Sequence, residues 1–137
     1  MSKDRSLSTA IHILTTMAFH DGALLTSAEL AQGCQTNPGL IRRMLSKLSD
    51  GGLIECTKGK NGGCKLAKPA KQISLKDVYE AVKDGPLFGS FDKDPLNICV
   101  ISCNMGKTLT GVYKNLETDL LKSMKKIKID DVLKSIV

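Results

Sequence analysis

A glycine-rich stretch with lysines on both sides, TKGKNGGCKLAK at residues 57–68, has the composition of a loop that contacts phosphate groups. Its glycines permit a tight turn and a close approach of the backbone to a ligand. Lys58, Lys60 and Lys65 could neutralise phosphates or enter a minor groove, contacts that position a protein on DNA without reading its sequence. Short apolar runs on either side predict the strands of a β-hairpin. The alternative is a charged hairpin that only keeps the surface soluble.

Side chains able to read bases precede this hairpin. Asn37 could pair bidentately with adenine and an arginine with guanine, each contact discriminating by roughly 1–3 kcal/mol. Arg42 and Arg43 could instead hold phosphates or form a solvated face. The residues expected to contact DNA are Thr26, Thr36, Asn37, Pro38, Arg42, Arg43, Lys47, Lys58, Lys60, Asn61, Gly62 and Lys65.

Two of the five cysteines lie at a point where a thiol could become reactive. Cys103 is near the predicted start of a long helix, whose positive dipole end favours a thiolate, and Cys99 is four residues earlier. One interpretation is a thiol switch, in which these two form a disulfide within one chain or across a dimer and so shift the dimer helices. The other is that both cysteines only pack.

The remaining cysteines lie closer to the DNA-contacting residues. Cys34 occupies a position suited to a small apolar residue, so core packing is favoured over a redox role. Cys56 and Cys64 flank the glycine-rich loop and could face each other across the hairpin at a separation compatible with a bridge. Cys64 is therefore a redox candidate in the element that would contact DNA.

Composition narrows the partner and the class of protein. The chain of 137 residues suffices for one domain with an appended element, and its formal charge is +6. Nucleic acid and an anionic membrane surface would both attract that charge, but the first 70 residues, which include the hairpin, are the more basic half, with nine Lys and Arg against five Asp and Glu. Few aromatic residues argue against a single-stranded partner and leave duplex DNA.

Further absences from the sequence narrow the compartment and the class of protein. No apolar run approaches the roughly 20 residues that span a bilayer, and no signal-peptide pattern occurs, so we expect a cytoplasmic protein with no membrane partner. The odd cysteine count without regular spacing favours a reducing compartment. No histidine lies near Cys99 or Cys103 and no phosphate-loop motif occurs, so we expect no enzymatic activity.

Apolar spacing predicts two helices at the start of the chain. The first spans residues 7–19. The second spans residues 27–32 and follows Thr26-Ser-Ala-Glu29, a capping box in which threonine and glutamate satisfy each other's backbone amides. Gly33 is then expected to make a sharp turn.

A third helix and the hairpin complete the first predicted domain, residues 1–83. The helix begins at Asn37-Pro38, an N-cap followed by proline in the first turn, and ends before Gly51-Gly52. Two short helices joined by a turn are typical of a helix-turn-helix, and strands at 53–56 and 64–67 would add its wing. The predicted fold class is mainly α with a small β-hairpin wing, extended by a long C-terminal dimerisation helix.

The region after the wing is predicted to contain a short helix and a loop. Ser74 and Asp77 could cap a helix at residues 75–82. Glycine and proline then indicate a loop over residues 84–103, a possible sensor region, whose Phe88 and Phe91 are expected to pack rather than bind a ligand.

Residues 104–137 are predicted to form a dimerisation helix and a short tail helix. Apolar residues recur every three or four positions over six turns, more than the small domain can cover, so a second copy is the favoured partner. The alternative is a helix folded back on its own core. A tail helix from Asp130 could close over the dimer seam. The expected dimer contacts are Leu109, Val112, Leu116, Leu120 and Met124.

Residues 27–82 resemble the Rrf-two (Rrf2) family of bacterial winged-helix transcription regulators, and the likeness covers most of residues 7–125. It rests on three motifs, Leu45-Ser-Lys-Leu48 before Gly52-Leu53-Ile54, Gly59-Lys-Asn-Gly-Gly63 before Leu66-Ala67, and Ile73-Ser-Leu. The resemblance implies a homodimer held by the long C-terminal helices, with each recognition helix in a major groove and each wing alongside.

The resemblance also bears on cofactors. Cluster-binding relatives hold an iron–sulfur centre through three cysteines in the loop before the long helix, and here that loop offers only Cys99 and Cys103. Two thiolates do not complete a four-ligand site, so we expect no cofactor and no metal. The resulting hypothesis is a dimeric, sequence-specific DNA-binding regulator, a repressor responsive to thiol oxidation. The alternatives are an iron–sulfur-dependent regulator and a winged helix that binds another protein.

Overall fold

The computed structural model describes residues 5–88 and 100–137 of the chain. Within those residues it contains six α-helices and one antiparallel hairpin, the arrangement expected for a winged helix-turn-helix with a long C-terminal helix. The elements are α1 (Ser6–Phe19), α2 (Ser27–Cys34), α3 (Pro38–Asp50), β1 (Ile54–Thr57), β2 (Gly63–Leu66), α4 (Leu75–Val82), α5 (Val100–Lys126) and α6 (Ile129–Ile136). The predictions for Phe91 and Cys99 lie outside the described residues.

The chain divides into two compact units, residues 1–83 with 124–137, and residues 84–123. The first unit has a core to which α1, α3, α4, the wing and α6 all contribute, because each of them buries one apolar face there. The large side chains that are fully buried in it include Ile13, Leu14, Leu30, Ile41, Met44, Leu48, Leu53, Ile73, Val78, Val82 and Ile129.

The wing is a hairpin with one additional bridge. β1 pairs with β2 so that Ile54 lies opposite Leu66 and Cys56 opposite Cys64. The N–H of Leu25 donates to the Cys64 carbonyl (2.9 Å), and the Leu25 carbonyl accepts from the Cys64 N–H (2.8 Å). Because both backbone groups of Cys64 bond to Leu25, Cys64 and Cys56 form a non-hydrogen-bonded pair, in which opposite side chains lie closest.

The turn between α2 and α3 differs from the prediction. α2 continues through Gly33 to Cys34, and the left-handed residue is Gln35, with φ 53°. The N–H of Thr36 then donates to the Ala31 carbonyl at 3.0 Å, which closes the end of the helix. The extra residues of α2 keep Cys34 packed against the core, so the turn falls after it rather than at Gly33.

The tail helix α6 packs on α1 and on the 3₁₀ turn Ala70–Gln72. Two backbone hydrogen bonds of 2.9 Å attach it: the Ile129 N–H donates to the Ile73 carbonyl, and the Leu75 N–H donates to the Ile127 carbonyl. Ile129 is fully buried in the core of the first unit. The leading side chain of α6 therefore packs within its own domain, and the expectation that the tail helix closes over a dimer seam stays a prediction.

The short helix α4 confirms its prediction. It spans the expected residues, and the Ser74 hydroxyl accepts from the Asp77 N–H while the Asp77 carboxylate accepts from the Ser74 N–H, both at 3.1 Å. These bonds connect residues three apart, which is why the sequence alone predicted them.

The long helix α5 is present, but its bounds and exposed face differ in part from the prediction. Residues 100–103, assigned to the loop, are helical, since no glycine or proline interrupts the chain there. Met124, expected on the dimer face, is buried by its own chain at 8% exposure, because the chain turns back into the core just after it. In the second unit Phe88 stacks on Tyr113 with ring centroids 5.0 Å apart, which confirms that Phe88 packs.

No helix in the described ranges 5–88 and 100–137 is both long and apolar enough to cross a membrane.

Candidate nucleic-acid interface

Two helix caps form the frame of the interface. The Thr26 hydroxyl accepts from the Glu29 N–H at 3.1 Å, and the Glu29 carboxylate accepts from the Thr26 N–H and hydroxyl at 3.4 and 3.0 Å. Asn37 Oδ1 accepts from the Leu40 N–H at 2.7 Å, with Pro38 in the first turn of α3. Both predicted helix starts are confirmed. The caps therefore use the Thr26 hydroxyl and one lone pair of Asn37 Oδ1.

α3 buries one face in the core and exposes the other. Arg42 and Arg43 are both exposed. Arg42 shares its side of the helix with Ser46 and Ser49, four and seven residues later, and all three line a groove between α3 and the wing. The two serines were missed by the sequence reasoning, although their spacing from Arg42 was a signal that could have identified them.

This groove brings together residues of two successive elements, α3 and the wing. Its α3 side includes Arg42, Ser46 and Ser49, and its wing side includes Cys56, Thr57 and Lys58. A polyanion that entered the groove would meet a cation from each of the two elements. Asp50 also lines the groove and offsets part of that charge.

The loop of the wing depends on glycine for its shape. The Gly62 N–H donates to the Gly59 carbonyl at 3.0 Å, and a Cβ at Gly62 would collide with the Thr57 carbonyl oxygen. Gly59 itself has φ +110°, a conformation that other residues rarely adopt. The exposed polar side chains of this loop are Lys58, Lys60 and Asn61.

Of the twelve predicted contact residues, Arg42 and Lys58 line the groove and the other ten do not, among them Lys65, Lys47 and Thr36. Lys65 is exposed on β2, directly opposite Glu55, whose charge partly offsets it. Lys47 extends its ammonium group to the Val82 carbonyl at the end of α4, 3.4 Å away. Thr36 is half-buried in the turn before α3. Arg42 and Lys58 thus line one groove, whereas the Lys47 ammonium group is hydrogen-bonded to α4.

A disulfide between Cys56 and Cys64 lies in the interface, with the two Cα atoms 4.1 Å apart. This pairing confirms that the two cysteines face each other across the hairpin. Cys64 is only 6% exposed and belongs to the core, whereas Cys56 is exposed. Both cysteines line the groove beside α3.

The other cysteines that the structure describes are Cys34 and Cys103. Cys34 packs against the core, and burial raises the pKa of its thiol, as expected for a packing role. Cys103 is half-buried on α5, and Cys99 lies outside the described residues. In the part of the chain that the structure describes, no three His, Cys, Asp or Glu side chains could hold a metal ion. Within residues 5–88 and 100–137 the structure thus brings together no set of side chains that fits a four-ligand iron–sulfur cluster.

Comparison with known proteins places this fold in a family. The sequence profile of the Rrf2 family, described as an iron-dependent transcriptional regulator, matches residues 4–135. The transcriptional regulator NsrR of Oceanobacillus iheyensis is 31% identical over 116 residues, which cover 84% of this chain and 77% of that protein.

Solved structures share the fold. One from Lactobacillus plantarum has a TM-score of 0.81 at 25% identity and covers 96% of this chain and 89% of that chain. IscR of T. potens has a TM-score of 0.73 at 16% identity, covering 100% of this chain and 89% of that chain, a likeness of fold alone. Because the family profile spans nearly the whole chain and the winged helix carries an exposed basic surface, the protein belongs to the Rrf2 family of DNA-binding transcriptional regulators and is not an enzyme.

Proposed function

We propose that this protein is a homodimer that binds a specific duplex DNA sequence, represses transcription there and responds to thiol oxidation without an iron–sulfur cluster. The observation that carries the proposal is the groove lined by Arg42 of α3 and Lys58 of the wing. It combines an exposed helix face with a basic loop, the two parts with which a winged helix contacts bases and phosphates. A dimer that covers its operator blocks transcription by occupancy.

The two parts would contribute differently to binding. An α-helix fits the major groove, where an arginine can donate two hydrogen bonds to guanine, and Arg42 and Arg43 are exposed on α3. The loop lysines Lys58 and Lys60 would neutralise phosphates, which raises affinity for any sequence. Sequence preference therefore comes from α3, and much of the affinity comes from the wing.

The first experiment tests specific recognition. Duplexes that bind the protein are selected from a random pool, and affinity for the selected duplex is measured by fluorescence anisotropy. Arg42→Ala should weaken binding at least fivefold, because one base or phosphate contact is lost. Lys47→Ala removes a cation from the same helix but from a side chain bonded to α4. It should change affinity by less than about twofold. Equal losses in the two variants would argue against the groove as the DNA site.

Salt dependence tests the role of the wing. The logarithm of the binding constant falls with the logarithm of salt concentration by about 0.9 for each phosphate neutralised. Lys58→Gln and Lys60→Gln should each reduce that slope by about one, with little change in sequence preference. Lys76→Gln, which removes a cation on α4 that pairs with Glu80, is the control and should leave the slope unchanged. If the loop variants kept the full slope, the wing would not contact phosphates.

The apolar face of α5 supports the homodimer. Val112, Leu116 and Leu120 recur every four residues and are 44%, 47% and 40% exposed in the single chain. Leu109, one turn earlier, is half-buried. A continuous apolar stripe on an exposed helix favours association, and a second copy of the same stripe is a self-complementary partner.

Sedimentation equilibrium of the full chain tests the dimer. Leu116→Glu should shift the protein toward monomer, because association would bury two unpaired carboxylates. Thr118→Glu places the same charge on the opposite face of α5 and should leave the dimer intact. A wild-type protein that is monomeric at micromolar concentration, or a Leu116→Glu variant that stays dimeric, would contradict the assignment of this face.

A further inference from the structure

The Cys56–Cys64 disulfide joins the two strands at the base of the loop that carries Lys58 and Lys60. Only residues 57–63 lie between the two cysteines, a sequence separation of 8. The bond therefore restrains residues 57–63, the loop whose lysines would contact DNA phosphates under the proposed function. It also forms part of the groove wall that faces α3.

The two sulfurs differ in access and in anchoring. Cys64 is 6% exposed, and its N–H and carbonyl both bond to Leu25, so its backbone is held in place by α2's leading segment. Cys56 is exposed at the mouth of the groove. Because thiol–disulfide exchange and thiol oxidation depend on access, small reagents would react at Cys56 and the held Cys64 would act as the second thiol.

We propose that Cys56 and Cys64 are a reversible redox site that sets the DNA affinity of the wing, with hydroperoxides as oxidants and dithiols as reductants. This inference rests on the proposed DNA-binding function and names the residues of its thiol response.

Oxidation consumes one hydroperoxide. The Cys56 thiolate attacks a peroxide oxygen, the O–O bond breaks, and two electrons pass from sulfur to the peroxide. Cys56 becomes a sulfenic acid, and the leaving alkoxide takes a proton and departs as an alcohol, or as water when the oxidant is hydrogen peroxide. The Cys64 thiol then attacks the Cys56 sulfur, so that the S–S bond forms, the S–O bond breaks, and hydroxide leaves with the Cys64 proton as water.

Reduction consumes one dithiol. A thiolate of the reductant attacks the exposed Cys56 sulfur, the protein S–S bond breaks, and Cys64 leaves as a thiolate that takes up a proton. The second thiol of the reductant then attacks the reductant sulfur that is bonded to Cys56, and the mixed disulfide breaks. Cys56 is released and protonated, and the reductant departs as a cyclic disulfide.

The two states differ in how far the loop is organised before DNA binds. In the oxidised state the bond holds the base of the loop closed. In the reduced state the pairing of Ile54 with Leu66 and the bridge from Leu25 to Cys64 would still hold the strands, but residues 57–63 would gain freedom that binding must remove. Preorganisation raises affinity, so the oxidised protein should bind the selected duplex about tenfold more tightly than the reduced protein.

The first arm of the test uses no DNA. Full-length protein is treated with hydrogen peroxide or with a phosphine reductant, and its thiols are mapped by alkylation and mass spectrometry. Peroxide should protect Cys56 and Cys64 together, and the phosphine should release both. Amide hydrogen exchange in residues 57–63 should accelerate on reduction, while exchange in α1 stays unchanged. Full alkylation of both thiols after peroxide, or equal exchange in the two states, would overturn the proposal.

The second arm measures affinity for the selected duplex in both redox states. Cys56→Ser, at an exposed position, should bind like the reduced wild type and show no response to either reagent. The control variant, in which Cys34→Ala, Cys99→Ser and Cys103→Ser are combined, should keep the tenfold response. A response that persists in Cys56→Ser, or that is lost in the control variant, would assign the switch to other cysteines.

The two arms separate this inference from the proposed function. Specific DNA binding that is equal within about twofold in the two redox states would overturn the redox control and leave the regulator function standing. If neither redox state bound a specific duplex, the DNA-binding function and the redox control of affinity would both be overturned. Thiol mapping and hydrogen exchange that followed expectation would still show that Cys56 and Cys64 form a reversible redox pair.

Discussion

At the scale of single residues, individual hydrogen bonds separate the side chains that can contact DNA from those that hold the fold. Asn37 Oδ1 and the Lys47 ammonium are both engaged, on the Leu40 N–H and the Val82 carbonyl. Arg42 and Arg43 are exposed on the same helix. Asn37 therefore caps α3, Lys47 bonds α3 to α4, and Arg42 and Arg43 form an exposed basic surface.

Asn37 should act as a cap. Asn37→Ala should lower the free energy of unfolding by about 1 kcal/mol, because the first turn of α3 loses an acceptor. Asn37→Ser, which can accept the same bond, should restore most of that loss and keep DNA affinity within about twofold. Urea unfolding and anisotropy measure the two quantities. A serine variant that is stable but binds more than tenfold weaker would show that Asn37 reads a base.

Gly62 should be required for the wing loop. Gly62→Ala would place a Cβ against the Thr57 carbonyl oxygen, so the loop must open. DNA affinity should fall about tenfold, and the free energy of unfolding should fall by about 1–3 kcal/mol. Gly33→Ala is the matched control: a Cβ there meets nothing within 4 Å in helix α2. It should raise stability by roughly 0.4–1 kcal/mol and leave affinity unchanged. Normal DNA binding by Gly62→Ala would contradict the role of the loop.

At the scale of elements, the C-terminal part of the chain has two different roles. Most of α5 lies in the second unit, and its apolar stripe is exposed in the single chain. α6 returns to the first unit and is attached there by backbone bonds on both sides of Lys128. The unit that carries the candidate interface therefore packs its core partly against the last helix of the chain.

Docking of α6 can be tested by two substitutions on that helix. Ile129→Ala should lower the free energy of unfolding by about 2–5 kcal/mol, because it leaves a cavity in the core. Ile136 is 71% exposed, and Ile136→Ala should change stability by less than about 0.5 kcal/mol. Thermal and urea unfolding of both variants measure the difference. Similar small effects would indicate that α6 contributes little to the first unit.

At the scale of the whole molecule, each cysteine that the structure describes has its own local surroundings. Cys34 packs against the core, Cys56 and Cys64 are bonded in the wing, and Cys103 is on α5. The pKa of the Cys34 thiol is raised by burial, which disfavours the thiolate that metal binding needs. The net charge of +6 is a property of the whole chain, and it favours electrostatic attraction to a polyanion such as nucleic acid.

Iron should not be needed for DNA binding. Protein purified without oxygen should be colourless, contain less than about 0.1 iron per chain and still bind the selected duplex, because the described thiols do not supply four ligands. Absorption spectra and iron analysis measure this directly. Reconstitution with iron and sulfide should leave affinity unchanged, whereas visible cluster bands with near-stoichiometric iron would show that a cluster forms across the dimer.

The features that the sequence predicted correctly depend on neighbouring residues. The caps at Thr26, Asn37 and Ser74 each connect positions three apart, and the apolar spacing of α1 and α3 identifies their buried faces. The hairpin was predicted within one residue at each strand, because its glycines and flanking apolar runs are adjacent in the chain. The family resemblance rested on these same local motifs.

The remaining features depend on contacts between residues far apart in the chain. The left-handed turn falls at Gln35 because Cys34 packs in the core, and α6 docks because Ile129 fills a space between distant elements. The groove between α3 and the wing exists only once both pack on the same core. Sequence by itself therefore determined the winged helix and its basic residues through local hydrogen bonds and periodicity. Only tertiary packing decided which of those residues share a surface, and that Cys56 and Cys64 are joined within it.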